Sequence, residues 1–133
     1  MTLVEALAAL EAAGRIRSRW LPGMMDSSGD RVLAVGGSGV TIDRIVRDGH
    51  DHEREGAADM FPPDPYDPLT TMGMLLLARE AMGDPLLVTA PFRADNSRVL
   101  WMTQSWSARY SDNAPTERAA IEAAIIATAE RLS

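Results

Sequence analysis

The spacing of apolar residues predicts a helix at the start of the chain. Leucines recur every three or four positions between residues 3 and 10, which gives one apolar face at helical periodicity. Thr2 and Glu5 have the spacing of a capping box, and Gly14 is the residue type that commonly follows a helix end. We therefore predict a first helix over residues 3–13.

Two further helices are predicted in the second half of the chain. Asp67 and Pro68 are typical of a helix start and Gly83 is typical of a helix end, so the second helix should run over residues 68–82. Apolar residues cover most of its circumference, and we expect it to be largely buried, in the core or at an oligomer interface. A third helix begins within residues 111–117 and carries an apolar stripe almost to the end of the chain.

Alternating or β-branched apolar runs predict strands between the helices. Residues 31–35 and 40–46 flank a glycine-rich turn, and residues 86–92 and 98–106 flank a polar turn, so each pair predicts an antiparallel hairpin. Arginine alternates with other residues over 15–20, which predicts one more short strand with its arginines on one face.

The order of these elements predicts an α+β fold, an α/β sandwich of short antiparallel strands covered by about three helices. The length of 133 residues suits one domain and is too short for two ordinary ones. Hydrophobic residues make up 46% and charged residues 24%, which are the proportions of a folded globular chain. We therefore expect a single domain over residues 1–133.

A long acidic connector separates the first hairpin from the second helix. Residues 43–67 hold eight carboxylates and three arginines, a local net charge of −5 within a chain whose net charge is −6. Prolines in its second half oppose a long helix or a central strand. We expect the part near residues 48–66 to be mobile and to have few buried contacts.

The composition excludes several kinds of chemistry. The chain has no cysteine and only two histidines, which rules out disulfides, thiolate nucleophiles and cysteine zinc sites. All 13 basic residues are arginine, and the net charge of −6 disfavours non-specific binding to nucleic acid. The chain has no apolar run of the roughly 18 residues that a membrane span needs and no secretion signal at its start, so we expect a cytoplasmic protein that does not bind membranes.

Catalytic patterns are equally scarce. The sequence shows no nucleophile with a base, no pair of carboxylates on rigid elements and no clear metal centre, so we predict a protein that is not an enzyme and has no cofactor. His50 and His52 have the donor types of a metal site, but their glycine-bounded, charged surroundings favour a solvated loop, and we assign no metal ligand. The glycines of residues 36–39 lack the lysine of a phosphate-binding loop and favour a hairpin turn.

The sharpest candidate site is an arginine cluster near residue 17. Strand alternation would set Arg15, Arg17 and Arg19 along one face with Trp20 beside them. Arginine binds phosphate through two hydrogen bonds and an indole stacks on a base, so these residue types suit a nucleotide-like ligand. The alternative is a solvated arginine face paired with acidic neighbours.

A second cluster of the same kind lies further along the chain. Trp101 and Trp106 are five residues apart, so one should be in the core and the other exposed. An exposed Trp106 near Arg109 would suit either ligand stacking or a protein partner. The alternative is that both indoles lie in the core or at an oligomer interface.

Three segments resemble a known group of small bacteriophage proteins, the phage ABA sandwich domain. Residues 67–84, from Asp67-Pro68-Leu69-Thr70 to Ala81-Met82-Gly83-Asp84, are similar to its central helix. The hairpin around Trp101 and the run Ala114-Pro115-Thr116-Glu117-Arg118-Ala119-Ala120 are similar to the parts that follow. The resemblance covers roughly residues 64–133. It implies an α/β sandwich in a phage or prophage accessory protein, and it implies no catalytic or binding residue.

Small phage accessory proteins are often counter-defence factors, and two functions then compete. The arginine cluster favours a protein that sequesters a nucleotide-type immune signalling molecule in the host cytoplasm without cleaving it. The acidic connector favours an inhibitor of a host defence protein or complex, of the anti-CRISPR type. A virion or assembly component is a third possibility.

We also expect a homo-oligomer, in the simplest case a dimer, because the apolar helix, eight methionines and three tryptophans give more apolar surface than a thin sandwich covers.

Overall fold

The computed structural model describes residues 1–36, 42–47, 50–52, 61–93, 98–105 and 109–132, and within these residues the chain forms three helices and six strands. The helices are α1 (Leu3–Ala12), α2 (Pro68–Met82) and α3 (Glu117–Glu130). The strands are β1 (Arg31–Val35), β2 (Ile42–Arg47), β3 (His50–His52), β4 (Val88–Arg93), β5 (Val99–Gln104) and β6 (Arg109–Ala114). This arrangement confirms the predicted α+β class.

The described strands form two antiparallel sheets, with strand orders β1-β2-β3 and β4-β5-β6. Both predicted hairpins are present, since Val32 pairs with Ile45 and Ala90 pairs with Met102. Strands β3 and β6 were not predicted. Strand β6 occupies residues 109–114, where the sequence suggested only the approach to the last helix.

The ends of the first two helices follow the capping residues in the sequence. The Thr2 hydroxyl accepts from the Glu5 amide at 3.1 Å, and the Glu5 carboxylate accepts from the Thr2 amide at 3.3 Å. The hydrogen bond with Thr2 lowers the pKa of the Glu5 carboxyl. Asp67 accepts from the Thr70 amide at the start of α2, and Gly83 ends that helix with a φ of 64°. A left-handed conformation of this kind is the one that glycine adopts without strain.

Helix α3 organises the core. It packs against α1, α2 and the β4-β5-β6 sheet. The largest buried side chains of the core include Leu7, Leu10, Ile16, Met74, Leu77, Ile121 and Ile125. Within the single chain, helix α2 is buried on one face only, because Leu69, Met72 and Leu76 are exposed. The expected burial of its other face at an oligomer interface stays a prediction. Among the described residues, no helix has both the length and the apolar character needed to cross a membrane.

Residues 15–20 form bends and irregular backbone instead of the predicted strand. The predicted alternation is nevertheless present in their burial, because Ile16, Ser18 and Trp20 are buried while Arg15 and Arg17 are exposed. The segment packs its even-numbered side chains into the core without pairing to a neighbouring strand.

Part of the acidic connector is held firmly against the domain. The Ser27 amide donates to the Pro62 carbonyl and the Asp64 amide donates to the Met25 carbonyl, at 2.8 and 2.9 Å. The Asp26 carboxylate, which is fully buried, accepts from the Phe61 amide. Residues 61–66 therefore do have buried contacts, contrary to the expectation for the connector. Residues 48–49 and 53–60 lie outside the described residues, so the rest of that expectation stays a prediction.

Candidate functional site

The arginines of the predicted cluster have different partners. Arg15 donates from Nε and Nη2 to the Ala81 carbonyl, at 3.2 and 2.9 Å. This carbonyl lies in the last turn of α2, where a cation satisfies an otherwise unpaired acceptor and complements the negative end of the helix dipole. Arg15 thus ties the segment that follows α1 to the end of α2.

Arg19 is committed to a carboxylate. Its Nη2 lies 2.9 Å from Glu11 Oε1 in an ion pair, and its backbone amide donates to Glu11 Oε2, also at 2.9 Å. The Arg19 side chain is 22% exposed and that of Glu11 is 10% exposed. For Arg19 the structure therefore matches the alternative of an arginine paired with an acidic neighbour.

Arg17 differs from both, because no residue in the described ranges accepts a hydrogen bond from its guanidinium. Its side chain is exposed and lines a pocket of about 350 Å³. The other lining residues are Ser18, Trp20, Leu21, Pro22, Val35, Gly36 and Glu80. We call this cavity the Arg17 pocket.

Glu80 gives the Arg17 pocket a second charge. Its Oε1 accepts from the Arg17 backbone amide at 2.8 Å, which fixes the carboxylate at the backbone of residue 17. Within the described part of the chain, its Oε2 has no hydrogen-bond partner. Counting only the described residues, the pocket therefore offers a ligand one donor group and one acceptor atom that have no protein partner.

Trp20 forms part of the wall of this pocket instead of an open stacking surface. Its side chain belongs to the core and the residue is 3% exposed. Its backbone amide donates to Ser18 Oγ at 3.2 Å, which holds the local turn. The predicted stacking of a base on the full face of this indole would require the core to open.

A turn at Pro22 and Gly23 places residues 20–22 next to the end of β1 in the wall of the Arg17 pocket. Pro22 and Gly23 reverse the chain, with Gly23 at a φ of 96°, and the Gly23 amide donates to the Val32 carbonyl. This bond aligns residues 20–24 with β1, whose last residue is Val35. Helix α2 supplies Glu80 from the other side.

The second predicted cluster can be followed only through the backbone. Arg109 begins β6, where it pairs with Gln104 of β5, and Trp106 lies outside the described residues. His50 and His52 pair with Arg47 and Ile45 in the first sheet. The described residues contain no group of His, Asp or Glu side chains placed to hold a metal ion.

Sequence reasoning missed the contribution of Glu80. The residue lies 63 positions after Arg17. It belongs to α2, whose sequence pattern predicts the two ends and the apolar surface of the helix but no role for Glu80. A local signal was present, since Glu80 is the carboxylate that follows a long run of uncharged residues in α2.

A second, larger cavity lies between α2 and α3. It measures about 470 Å³ and is lined by Tyr66, Pro68, Thr71, Met72, Leu75, Thr116, Glu117, Arg118 and Ile121. The cation in this lining, Arg118, is already bonded to the Asp64 carbonyl at 2.7 Å and to Glu122 at 3.0 Å. This groove is therefore a weaker candidate for an anionic ligand than the Arg17 pocket.

Comparison with known proteins gave no relatives: no family model, no curated protein and no solved structure matches the chain. The site must therefore be judged on its own geometry.

Proposed function

We propose that the protein binds a small anionic molecule of nucleotide type in the Arg17 pocket and releases it unchanged. The observation that carries this proposal is the side chain of Arg17, which lines the pocket together with apolar residues and whose guanidinium has no partner in the described structure. A concave, mostly apolar cavity with a few polar groups is the usual form of a small-molecule site.

The size and the polar groups of the pocket narrow the ligand. A volume of about 350 Å³ is near the lower end of the range for ligand pockets, which suits one nucleotide unit better than a dinucleotide. Arg17 would donate two hydrogen bonds to a phosphate, and Glu80 Oε2 would accept from a sugar hydroxyl or a base N–H. Leu21, Pro22 and Val35 provide apolar surface for the rest of the molecule.

The biological role that we propose is counter-defence. It rests on the resemblance to small phage accessory proteins. A protein of this kind that binds an immune signalling molecule in the host cytoplasm would suppress the host defence response that the molecule triggers. The protein would act stoichiometrically and without catalysis, so a bound molecule should keep its mass after the protein is denatured.

Two arginine variants test the binding site directly. Arg17→Ala removes a guanidinium that has no partner among the described residues, whereas Arg19→Ala removes one that is paired with Glu11, so the second variant is a matched control. With adenosine and guanosine 5′-monophosphates as probes in calorimetry, we expect Arg17→Ala to weaken binding at least about tenfold, the effect of losing a charged hydrogen bond. Arg19→Ala should bind within about twofold of wild type. Equal losses in both variants, or none in either, would overturn the proposed site.

The rival hypothesis, an acidic inhibitor of a defence protein, predicts a different result. Neutralising Asp51, Glu53 and Glu55 together should then abolish the protein's ability to protect phage from host defence, while Arg17→Ala should retain it. That outcome, combined with no retained small molecule in native mass spectrometry of protein purified from infected cells, would replace the sequestration proposal.

A further inference from the structure

Helix α2 carries an exposed apolar stripe opposite its buried face. Leu69, Met72 and Leu76 are 58%, 57% and 45% exposed and follow one another at positions i, i+3 and i+7. This spacing places the three side chains on one side of a helix, which is the pattern of a helix that packs against another helix. Met74 and Leu77, on the other side, are buried in the core.

The apolar surface continues past the start of the helix. Tyr66, just before the helix, is 90% exposed and lines the same groove as Met72. We call Tyr66, Leu69, Met72 and Leu76 the α2 stripe. The groove of about 470 Å³ between α2 and α3 borders this stripe, since Tyr66 and Met72 line both. An exposed aromatic side chain therefore lies next to a cavity with apolar walls.

The area of the α2 stripe is close to what a dimer needs. From the exposed fractions, the four side chains present about 400 Å² of apolar surface, which lies within the range for the largest patch on a monomer. A standard interface buries roughly 800 Å² on each partner, of which somewhat more than half is apolar. One copy of this surface thus matches the apolar share of one side of such an interface.

The charge distribution favours a second copy of this chain as the partner that covers the α2 stripe. The chain has a net charge of −6, so two copies repel each other wherever carboxylates face one another. Residues 68–78 of α2 contain no charged residue. Asp67, just before them, is neutralised by an ion pair with Arg31 at 3.0 Å. Along residues 68–78 of α2, two copies can therefore meet without that repulsion.

We propose that a second copy of this chain packs on the α2 stripe about a two-fold axis. A two-fold axis makes one surface meet itself, so the surface must contain both a projection and a recess. The α2 stripe does, because Tyr66 of each copy can enter the α2–α3 groove of the other. The axis crosses the stripe near its middle, and the two α2 helices run antiparallel.

The mass of the protein in solution tests this arrangement. We expect a dimer by light scattering at micromolar concentration, and a monomer for Leu69→Glu/Leu76→Glu. Both positions are exposed in the single chain, so helical content by circular dichroism should be unchanged. Leu86→Glu, at a position that is 57% exposed but lies outside the stripe, is the matched control and should stay dimeric.

Single cysteines give an independent test, because the chain contains none. Met72→Cys lies near the proposed axis and should cross-link to itself with a short bis-maleimide, whereas Leu86→Cys should not. A monomeric wild-type protein at 100 µM would overturn the proposal. A dimer that persists in Leu69→Glu/Leu76→Glu would also overturn it. So would a monomeric wild-type protein that protects phage from host defence while the double variant does not, since the stripe would then bind another protein.

Discussion

At the scale of single residues, the ion pair between Arg31 and Asp67 joins several parts of the domain. Arg31 donates to both carboxylate oxygens of Asp67, at 3.0 and 3.2 Å, and to the Gly23 carbonyl at 2.6 Å. Asp67 also accepts from the amide and the hydroxyl of Thr70. The Arg31 hydrogen bond, aided by Thr70 against the opposing effect of burial, lowers the pKa of Asp67 from 3.8 to about 2.

This lowered pKa predicts a specific loss of stability in acid. Because the folded-state pKa lies below the unfolded one, the ionised pair stabilises the fold above about pH 4, and this contribution is lost as the pH falls toward 2. The shift corresponds to roughly 2 kcal/mol for a carboxylate whose side chain is 11% exposed. In urea unfolding, Asp67→Asn should therefore be less stable than wild type at pH 6, and the difference should narrow by pH 3. Asparagine still caps a helix, so a gap that stays constant with pH would contradict this account.

The residues of the proposed site show what a sequence can and cannot predict at this scale. The arginine-rich composition near residue 17 predicted a site in this segment, which stays a prediction, and the burial of Ile16 and Trp20 follows the predicted alternation. The sequence did not reveal that Arg15 bonds to Ala81, because that partner is 66 residues away. Which arginine lacks a partner within the described part of the chain depends on such distant acceptors, and only the fold supplies them.

At the scale of elements, prediction succeeded where the signal is local. The start of α1 and both ends of α2 follow from capping residues a few positions apart, and the two hairpins follow from runs joined by short turns. Strand β6 was missed because its run Arg-Tyr-Ser-Asp-Asn-Ala is polar, and it exists through pairing with β5. The reverse holds for residues 15–20, which alternate like a strand but have no strand beside them.

Helix α2 also contains a position where packing overrides helix propensity. A Cβ atom added to Gly73 would lie 2.5 Å from Cγ and 2.8 Å from Sδ of Met24, which is fully buried. Gly73→Ala should therefore destabilise the fold by about 1–3 kcal/mol, although alanine favours a helix over glycine by about 1 kcal/mol. Urea unfolding measures the difference. In a Met24→Ala background the clash is removed, so the same substitution should become neutral or stabilising, and an equal loss in both backgrounds would refute the packing explanation.

At the scale of the whole molecule, Arg118 connects α3 to the end of the acidic connector and to α2. It is 7% exposed and donates to the Asp64 carbonyl at 2.7 Å, to the Pro63 carbonyl at 3.5 Å and to the Thr71 hydroxyl at 3.4 Å. Its Nε donates to Glu122 one turn further along α3. No local pattern predicts this role, since Arg118 looks like an ordinary residue of a first helical turn.

Replacing Arg118 should therefore loosen the molecule well beyond α3. Arg118→Met keeps much of the buried stem but leaves the carbonyls of Pro63 and Asp64 without their donor, so we expect a loss of about 2–4 kcal/mol in urea unfolding. The Asp64 amide, which donates to Met25, should also exchange its hydrogen faster, because the segment that carries it is no longer held from the α3 side. Glu122→Gln is the matched control: its side chain is 31% exposed, and removing its charge should cost no more than about 1 kcal/mol and leave Asp64 protected. If both variants lost the same stability relative to wild type, the ion pair with Glu122 and not the bonds to the carbonyls would account for the loss. Arg118 would then stabilise α3 only.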